Sequence, residues 1–345
     1  MKSRKTRGLF DEEFRIEKIK KKDPLTVLQS RVNWEQFRVT VESAFLGVDY
    51  SKGGRPPFDR LLMFKVLVLQ EYYGLSDDQM EFQLLDRLSF QRFIGQGLHD
   101  VVPDAKTIWL YRQTLTNAGV IDRLFEQLGK QLRKLGLVAN KGSMIDASFV
   151  KVPVQRNTPD ENDQIKGGDT PDWDEPKARQ KDTDADWTRK GNERHYGYKQ
   201  HVKADVESKL ITNFEVTPAS VHDSNVFEEL LNKQDAGTRV YADSAYYSEE
   251  KIAILKALGI DPGILTRKYR NRSLTQQEKE LNRKLSSRRC RIEHIFAWLK
   301  QWGRSRIRGV GIARITARVT LRMICYNLSR AIFLLRSNKK ELQII

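Results

Sequence analysis

The feature that most constrains this chain is a change of hydrophobic period near residue 138. Before it, apolar residues recur at helical spacing in RLLMFKVLVLQEYYG (60–74), LSDDQMEFQLLDRLSFQRFIG (75–95), PDAKTIWLYRQTL (103–115) and IDRLFEQLGKQLRKLG (121–136). After it, β-prone runs lie at 143–154, 195–206, 209–219 and 238–248, with a shorter one in IDPGILTRK. Helical patterns return at 221–233, 248–259, 274–302 and 313–335. Helices repeat every 3.6 residues and strands every 2, so a switch of period marks a switch of architecture. Three strands precede the first helix of the second half, which predicts antiparallel pairing among them. Later strands alternate with helices, which predicts parallel pairing.

The expected fold class is therefore α/β, a mixed sheet flanked by helices and preceded by an all-α N-terminal domain. The element order matches a ribonuclease H-like arrangement. The patterns divide the chain into a basic arm (1–23), a helical domain (24–137), a mixed-sheet domain (138–310) and an amphipathic C-terminal helix with a tail (311–345). Ser76 is placed to cap a helix and Gly136 to end one. The segment 156–192 holds 10 acidic and 7 basic residues, is rich in Pro, Gly and Asp, and has no period. It is expected as a long loop or disordered insert that cannot fold alone.

The net charge of +16 is segregated: residues 266–345 carry 21 Lys and Arg against 4 Asp and Glu, and the rest of the chain is close to neutral. Such a block suits a polyanion, nucleic acid above all, with a solvated surface as the alternative. Cys290 and Cys325 cannot build a disulfide framework or a C-x-x-C zinc site, which fits a reducing cytosol. No apolar core follows MKSRKTRG, so no secretory signal is expected. No run of about 18 apolar residues is present, so no membrane span is expected.

KGSMIDASFVKV (141–152) places Asp146 inside an apolar strand. A lone buried carboxylate is costly unless something compensates it. A hydrogen-bonded turn aspartate is one answer, and a metal ligand with partners elsewhere is the other. Asp243 ends the later strand RVYADSAYY, and Glu293 lies in RRCRIEHIFAWLK. Three carboxylates converging from distant positions make a hard-oxygen site suited to Mg²⁺ or Mn²⁺, and two such ions suit phosphodiester chemistry. Arg289, Glu293 and Lys300 are spaced to share one side of a helix, unless Arg289 and Glu293 are merely a surface pair. Lys190, Lys199 and His201 flank the second strand, where Lys199 could touch DNA or be a plain exposed lysine. His222 reads as a cap or loop histidine, or as one near the metals. Trp298 and Trp302 read as core, or as a stacking pair. Arg267, Lys268 and Arg270 in RKYRNRS, and Arg304, Arg306 and Arg308 in GRSRIRGVGIAR, are further DNA-contact candidates.

In combination these motifs resemble the DDE transposases of bacterial insertion sequences, within the insertion sequence five family. That family carries a Y-x2-R-x3-E-x6-K signature. Arg289, Glu293 and Lys300 match it, and Ser286 stands at the tyrosine position. IDAS around Asp146, KGNERHYGYKQHVKAD (190–205), TPASVHDSN (217–225), YADSAYY (241–247) and the helical stretch 55–95 also match, so the resemblance spans roughly residues 40–335. It implies a cytoplasmic enzyme that cleaves the terminal inverted repeats of a mobile element and joins the freed 3′ ends to target DNA. Asp146, Asp243 and Glu293 would be the catalytic metal ligands. Arg289 and Lys300 would position phosphates, and the protein would act as a homodimer or larger assembly. The helical region would bind repeat DNA, dimerise, or both. Only 49 residues separate Asp243 from Glu293, too few for the large β-rich domain that some relatives insert there. A metal-dependent nuclease of the same fold, and a DNA-binding relic without catalysis, are the alternatives.

Overall fold

The structure is a computed structural model and describes residues 14, 17–18, 23–47, 56–97, 99–268, 272–301 and 306–337. The chain divides into two compact units, Met1–Val120 with Ile332–Ile345, and Ile121–Ala331.

The first unit is helical. It contains α1 (Pro24–Arg31), α2 (Arg38–Glu42), α3 (Arg60–Tyr73), α4 (Asp77–Asp86), α5 (Leu88–Ile94) and α6 (Ala105–Asn117). The apolar run of α3 is buried around most of its circumference. Ser76 caps α4 in a reciprocal box with Gln79, as its position predicts. The pattern over 75–95 forms two helices rather than one, because Arg87 takes an extended conformation (φ −101°, ψ 107°) between them. Trp34, Phe37, Phe64 and Phe93 pack together at the centre of the unit. Among the described residues no helix is long and apolar enough to cross a membrane.

The second unit takes in all of α7 (Val120–Lys134) after its first residue, so the boundary between units falls at the start of this helix. Phe125 of α7 meets Phe214 edge-on at 4.9 Å, which ties the helix to a sheet residue. The sheet comprises β1 (Ser143–Lys151), β2 (Asp186–Lys190), β3 (Glu193–Asp205), β4 (Ile211–Pro218), β5 (Arg239–Ala242) and β6 (Asp261–Ile264). β1 pairs antiparallel with β3 and parallel with β5. β4 lies antiparallel on β3, and β6 parallel on β5. The order β4-β3-β1-β5-β6 is the ribonuclease H-like arrangement expected from the element order.

The polar insert departs from expectation. Between β1 and β3 it forms α8 (Pro159–Lys166), α9 (Glu175–Ala178) and β2, which pairs with the start of β3. Polar groups hold it in place of an apolar stripe. Thr158 and Glu161 box the start of α8, Trp173 donates to Glu161 at 2.6 Å, and the buried Tyr198 hydroxyl donates to Asp182 at 2.6 Å. Hydrophobic periodicity cannot register such contacts.

The remaining helices are α10 (Phe227–Leu230), α11 (Glu249–Ala257), α12 (Gln276–Arg289), α13 (Ile292–Lys300) and α14 (Ile312–Ser337). The helix expected over 221–233 shrinks to a 3₁₀ turn (Asp223–Val226) and the single turn of α10. The apolar face of α14 is buried, and its Asn327 amide takes both main-chain groups of Ile211 at 2.9 Å.

Candidate active site

β1 and β5 run parallel with Ser143 opposite Val240 and Met144 opposite Tyr241. Two residues further, the same register sets Asp146 level with Asp243, where pairing has ceased and the strands part. Asp243 caps a 3₁₀ turn, its Oδ1 accepting from the Ala245 N–H at 2.7 Å. Asp146 accepts from the Ala147 N–H at 2.8 Å and from Arg289 Nη1 at 2.7 Å. Burial pushes the Asp146 carboxyl above its ordinary range, and the nearby charge of Asp243 adds to the rise, while the Ala147 N–H and Arg289 oppose it.

Arg289 and Glu293 do not share one helix. α12 ends at Arg289 and α13 begins at Ile292, and the bonds Arg291 N to Arg288 O and Glu293 N to Cys290 O make a tight turn between them. The pair still meets, with Arg289 Nη2 3.9 Å from Glu293 Oε1. Arg289 therefore links Asp146 to Glu293, whose own side chain is 68% exposed. Among the described residues no three acidic, histidine or cysteine side chains are gathered closely enough to hold a metal ion. The structure brings Asp146 beside Asp243, and joins Glu293 to them through Arg289.

Two polar atoms of residues near this edge are orphaned. Among the described residues the buried Tyr246 hydroxyl has no hydrogen-bond partner, and neither has Arg289 Nε. Burial, then the charges of Asp223, Asp146 and Asp243, push the Tyr246 phenol well above its ordinary range. A half-buried carboxylate whose charge is opposed, a second carboxylate beside it, and an unsatisfied hydroxyl together fit a hard divalent cation by donor chemistry.

Lys300, the last residue of α13, is exposed. Partial burial, then Lys151 and Lys190, lower its pKa, so three lysines from three elements gather near the site. Lys151, at the end of β1, was not among the expected site residues, because no local pattern separates it from a surface lysine. Lys199 is corrected from an exposed contact residue to a buried one. It is 8% exposed, its Nζ lies 2.8 Å from Asp223 Oδ1, and it donates to Val221 O at 2.7 Å. His201 is fully buried against Thr217 Oγ1 at 2.9 Å, and burial lowers its pKa to about 4, which keeps it neutral. His222 caps the Asp223–Val226 turn. Trp298 packs edge-on against Tyr326. Arg267, Lys268, Arg306 and Arg308 are exposed. Arg270, Trp302 and Arg304 lie outside the described residues.

Residues 140–328 match the family model described as Transposase DDE domain, and residues 13–114 match a Transposase domain (DUF772). A transposase for insertion sequence element IS1106 from Neisseria meningitidis serogroup B is 32% identical over 228 residues, which cover 64% of this chain and 76% of that one. A cryo-EM structure of a piggyBac transposase synaptic complex with hairpin DNA aligns at a TM-score of 0.47 and 11% identity, covering 93% of this chain and 77% of that one.

Proposed function

Since the chain belongs to the DDE transposase family, we propose that it cuts the terminal inverted repeats of an insertion sequence and joins the freed 3′ ends to target DNA at the Asp146–Asp243 edge. The observation that carries this reading is the β1–β5 register. It delivers two carboxylates to one open sheet edge, with Arg289 tying in the third. Asp146 and Asp243 would hold divalent cations there, with Glu293 reaching in from the first turn of α13. Mg²⁺, or Mn²⁺ in its place, at two ions per site, would polarise the phosphate and acidify the attacking water.

The chain's own groups do the rest. Arg289 now neutralises Asp146. Its planar fork of donors also suits a non-bridging phosphate oxygen, which it would take in place of Asp146 when DNA is bound. Lys151, Lys190 and Lys300 would hold neighbouring backbone phosphates, contacts that position DNA without reading its sequence. In the first step a water oxygen bonds to phosphorus as the bond to the 3′ oxygen breaks, leaving a 3′-hydroxyl on the element. In the second, that hydroxyl bonds to a target phosphorus and expels the target's own 3′ oxygen. Both are in-line displacements, so one site serves both. Two element ends call for a homodimer or larger assembly on duplex DNA.

The test is a reaction of the purified protein, Mg²⁺ and labelled DNA carrying the repeats that flank its gene. Nicked ends and joined products, both lost in Asp243→Ala and Glu293→Ala, are expected. Cut ends without joined product would reduce the protein to a nuclease of this fold. Binding without any metal-dependent cutting would leave a DNA-binding protein.

A further inference from the structure

The helical unit leaves large apolar side chains outside its core on two neighbouring helices. Met80 and Leu84 bury the inner side of α4, and Ile108, Tyr111 and Leu115 bury that of α6. The two helices lie side by side and antiparallel, since Arg112 pairs with Asp77 at 2.7 Å and the Ala105 N–H donates to Glu81 at 2.8 Å. Leu85 stands one turn beyond Glu81 and Trp109 one turn beyond Ala105, which sets them on the outer side of this seam. Phe82 and Leu110 flank them, and the four side chains are 49–61% exposed.

Two aromatic and two leucine side chains at this exposure present roughly 400 Å² of apolar surface. Apolar residues scattered singly need no explanation, whereas a cluster marks a contact. A standard interface takes about 800 Å² from each partner, a little over half of it apolar. This face therefore supplies the apolar share of one such interface. Charge decides the partner. α4 carries Asp77, Asp78, Glu81 and Asp86 and no Lys or Arg, which repels a phosphate backbone. Asp78 and Asp86 are exposed, as is Lys106 on α6, and none of the three pairs with an opposite charge among the described residues. One helix thus offers acids and the other a base. A two-fold axis through the seam lays α6 of one copy over α4 of the other, and brings Lys106 to those acids twice.

We propose that the outer face of α4 and α6, centred on Phe82, Leu85, Trp109 and Leu110, docks on the same face of a second copy of this chain. The proposal rests on the reading that two element ends are joined in one assembly. It assigns pairing, and not repeat binding, to this face of the helical unit.

The experiment measures the mass of the full chain in solution by sedimentation over a dilution series. A dimer is expected. Phe82→Glu and Trp109→Glu leave the charge in water in one chain and bury it between two, because both positions are exposed. Each should weaken association by about 100-fold. Leu85→Lys repeats the test should either variant misfold. Lys106→Asp should also weaken the dimer, and adding Asp78→Lys should restore it, which a contact between copies explains and a lone chain does not. A monomer throughout the series, or a dimer that all of these variants leave intact, overturns the proposal. So does a loss of binding to a repeat duplex with the mass unchanged, which would give the face to DNA. Cleavage of that duplex in Mg²⁺ keeps the two readings apart. A dimer that never cuts sinks the DNA-cutting reading alone, and cutting by a chain that stays monomeric sinks the docking face alone.

Discussion

Two charged clusters along β1 are handled in opposite ways. At its start, Lys203 and Asp235 are buried and paired at 2.7 Å, their side chains 1% and 4% exposed. Asp235 also accepts from the Ser143 hydroxyl at 2.9 Å and the Asn232 N–H at 2.8 Å. Burial lowers the Lys203 pKa, and Asp235 pushes back against that. At Asp146, further along the strand, Tyr246 Oη and Arg289 Nε have no partner among the described residues, and the Asp146 carboxyl is shifted against its charged form. One cluster is closed by the protein's own groups and the other is left open. A closed buried network specifies structure, whereas an open one leaves donors and acceptors for a ligand.

The strongest way to break this contrast is to remove a carboxylate from the open end. Asp243→Ala should lower cleavage and joining by about 1,000-fold or more while leaving the thermal unfolding midpoint near that of the wild type. A variant that loses activity only in proportion to its loss of folded protein would put Asp243 on the structural side. At the closed end the expectation reverses. Asp235→Ala strands the Lys203 ammonium and should cost about 3–5 kcal/mol of stability, with activity per folded molecule retained. Replacing the pair together, Lys203→Met with Asp235→Leu, should restore most of that loss in urea melts, because no buried charge is then left alone.

A smaller effect sharpens the comparison through pH. The Asp146 pKa is raised in the folded state, so the folded form binds its proton more tightly than the unfolded chain does. The stability this contributes is complete below the ordinary carboxyl value of 3.8 and is lost as pH rises through the folded value. Asp146→Asn should therefore melt higher than wild type at pH 7 in chelator, and the gain should vanish at pH 3. Added Mg²⁺ should raise the wild-type midpoint and not that of the variant. Identical melting curves for the two proteins at pH 7 would argue that Asp146 is as well satisfied as Asp235. Tyr246→Phe should have the smallest effect, raising stability by about 1 kcal/mol in chelator, because it removes a buried hydroxyl that has no partner to lose among the described residues.

The mixed sheet was legible because β1, β3, β4 and β5 are β-prone runs of strand length in an order that few topologies accommodate. The α3 helix was legible for the same reason. The insert was not, since Thr158, Glu161, Trp173 and Asp182 act through caps and single buried hydrogen bonds. The break at Cys290 and Arg291 also escaped, because both residues continue the helical pattern and only the bonds of the turn reveal it. Lys199 looked like a surface lysine because its partner Asp223 is distant in the chain and close only in the fold.

The sequence by itself determined the class of fold and the charge segregation, and it offered Asp146, Asp243 and Glu293 as the acids to follow, because periodicity and residue chemistry are local properties. The tertiary structure decided which of those acids stand together, which cations are buried, and which apolar side chains are left outside the core. The physical reason is that burial, register and charge pairing arise between residues far apart in the chain. Asp146 lies 143 positions from Arg289 and meets it at 2.7 Å.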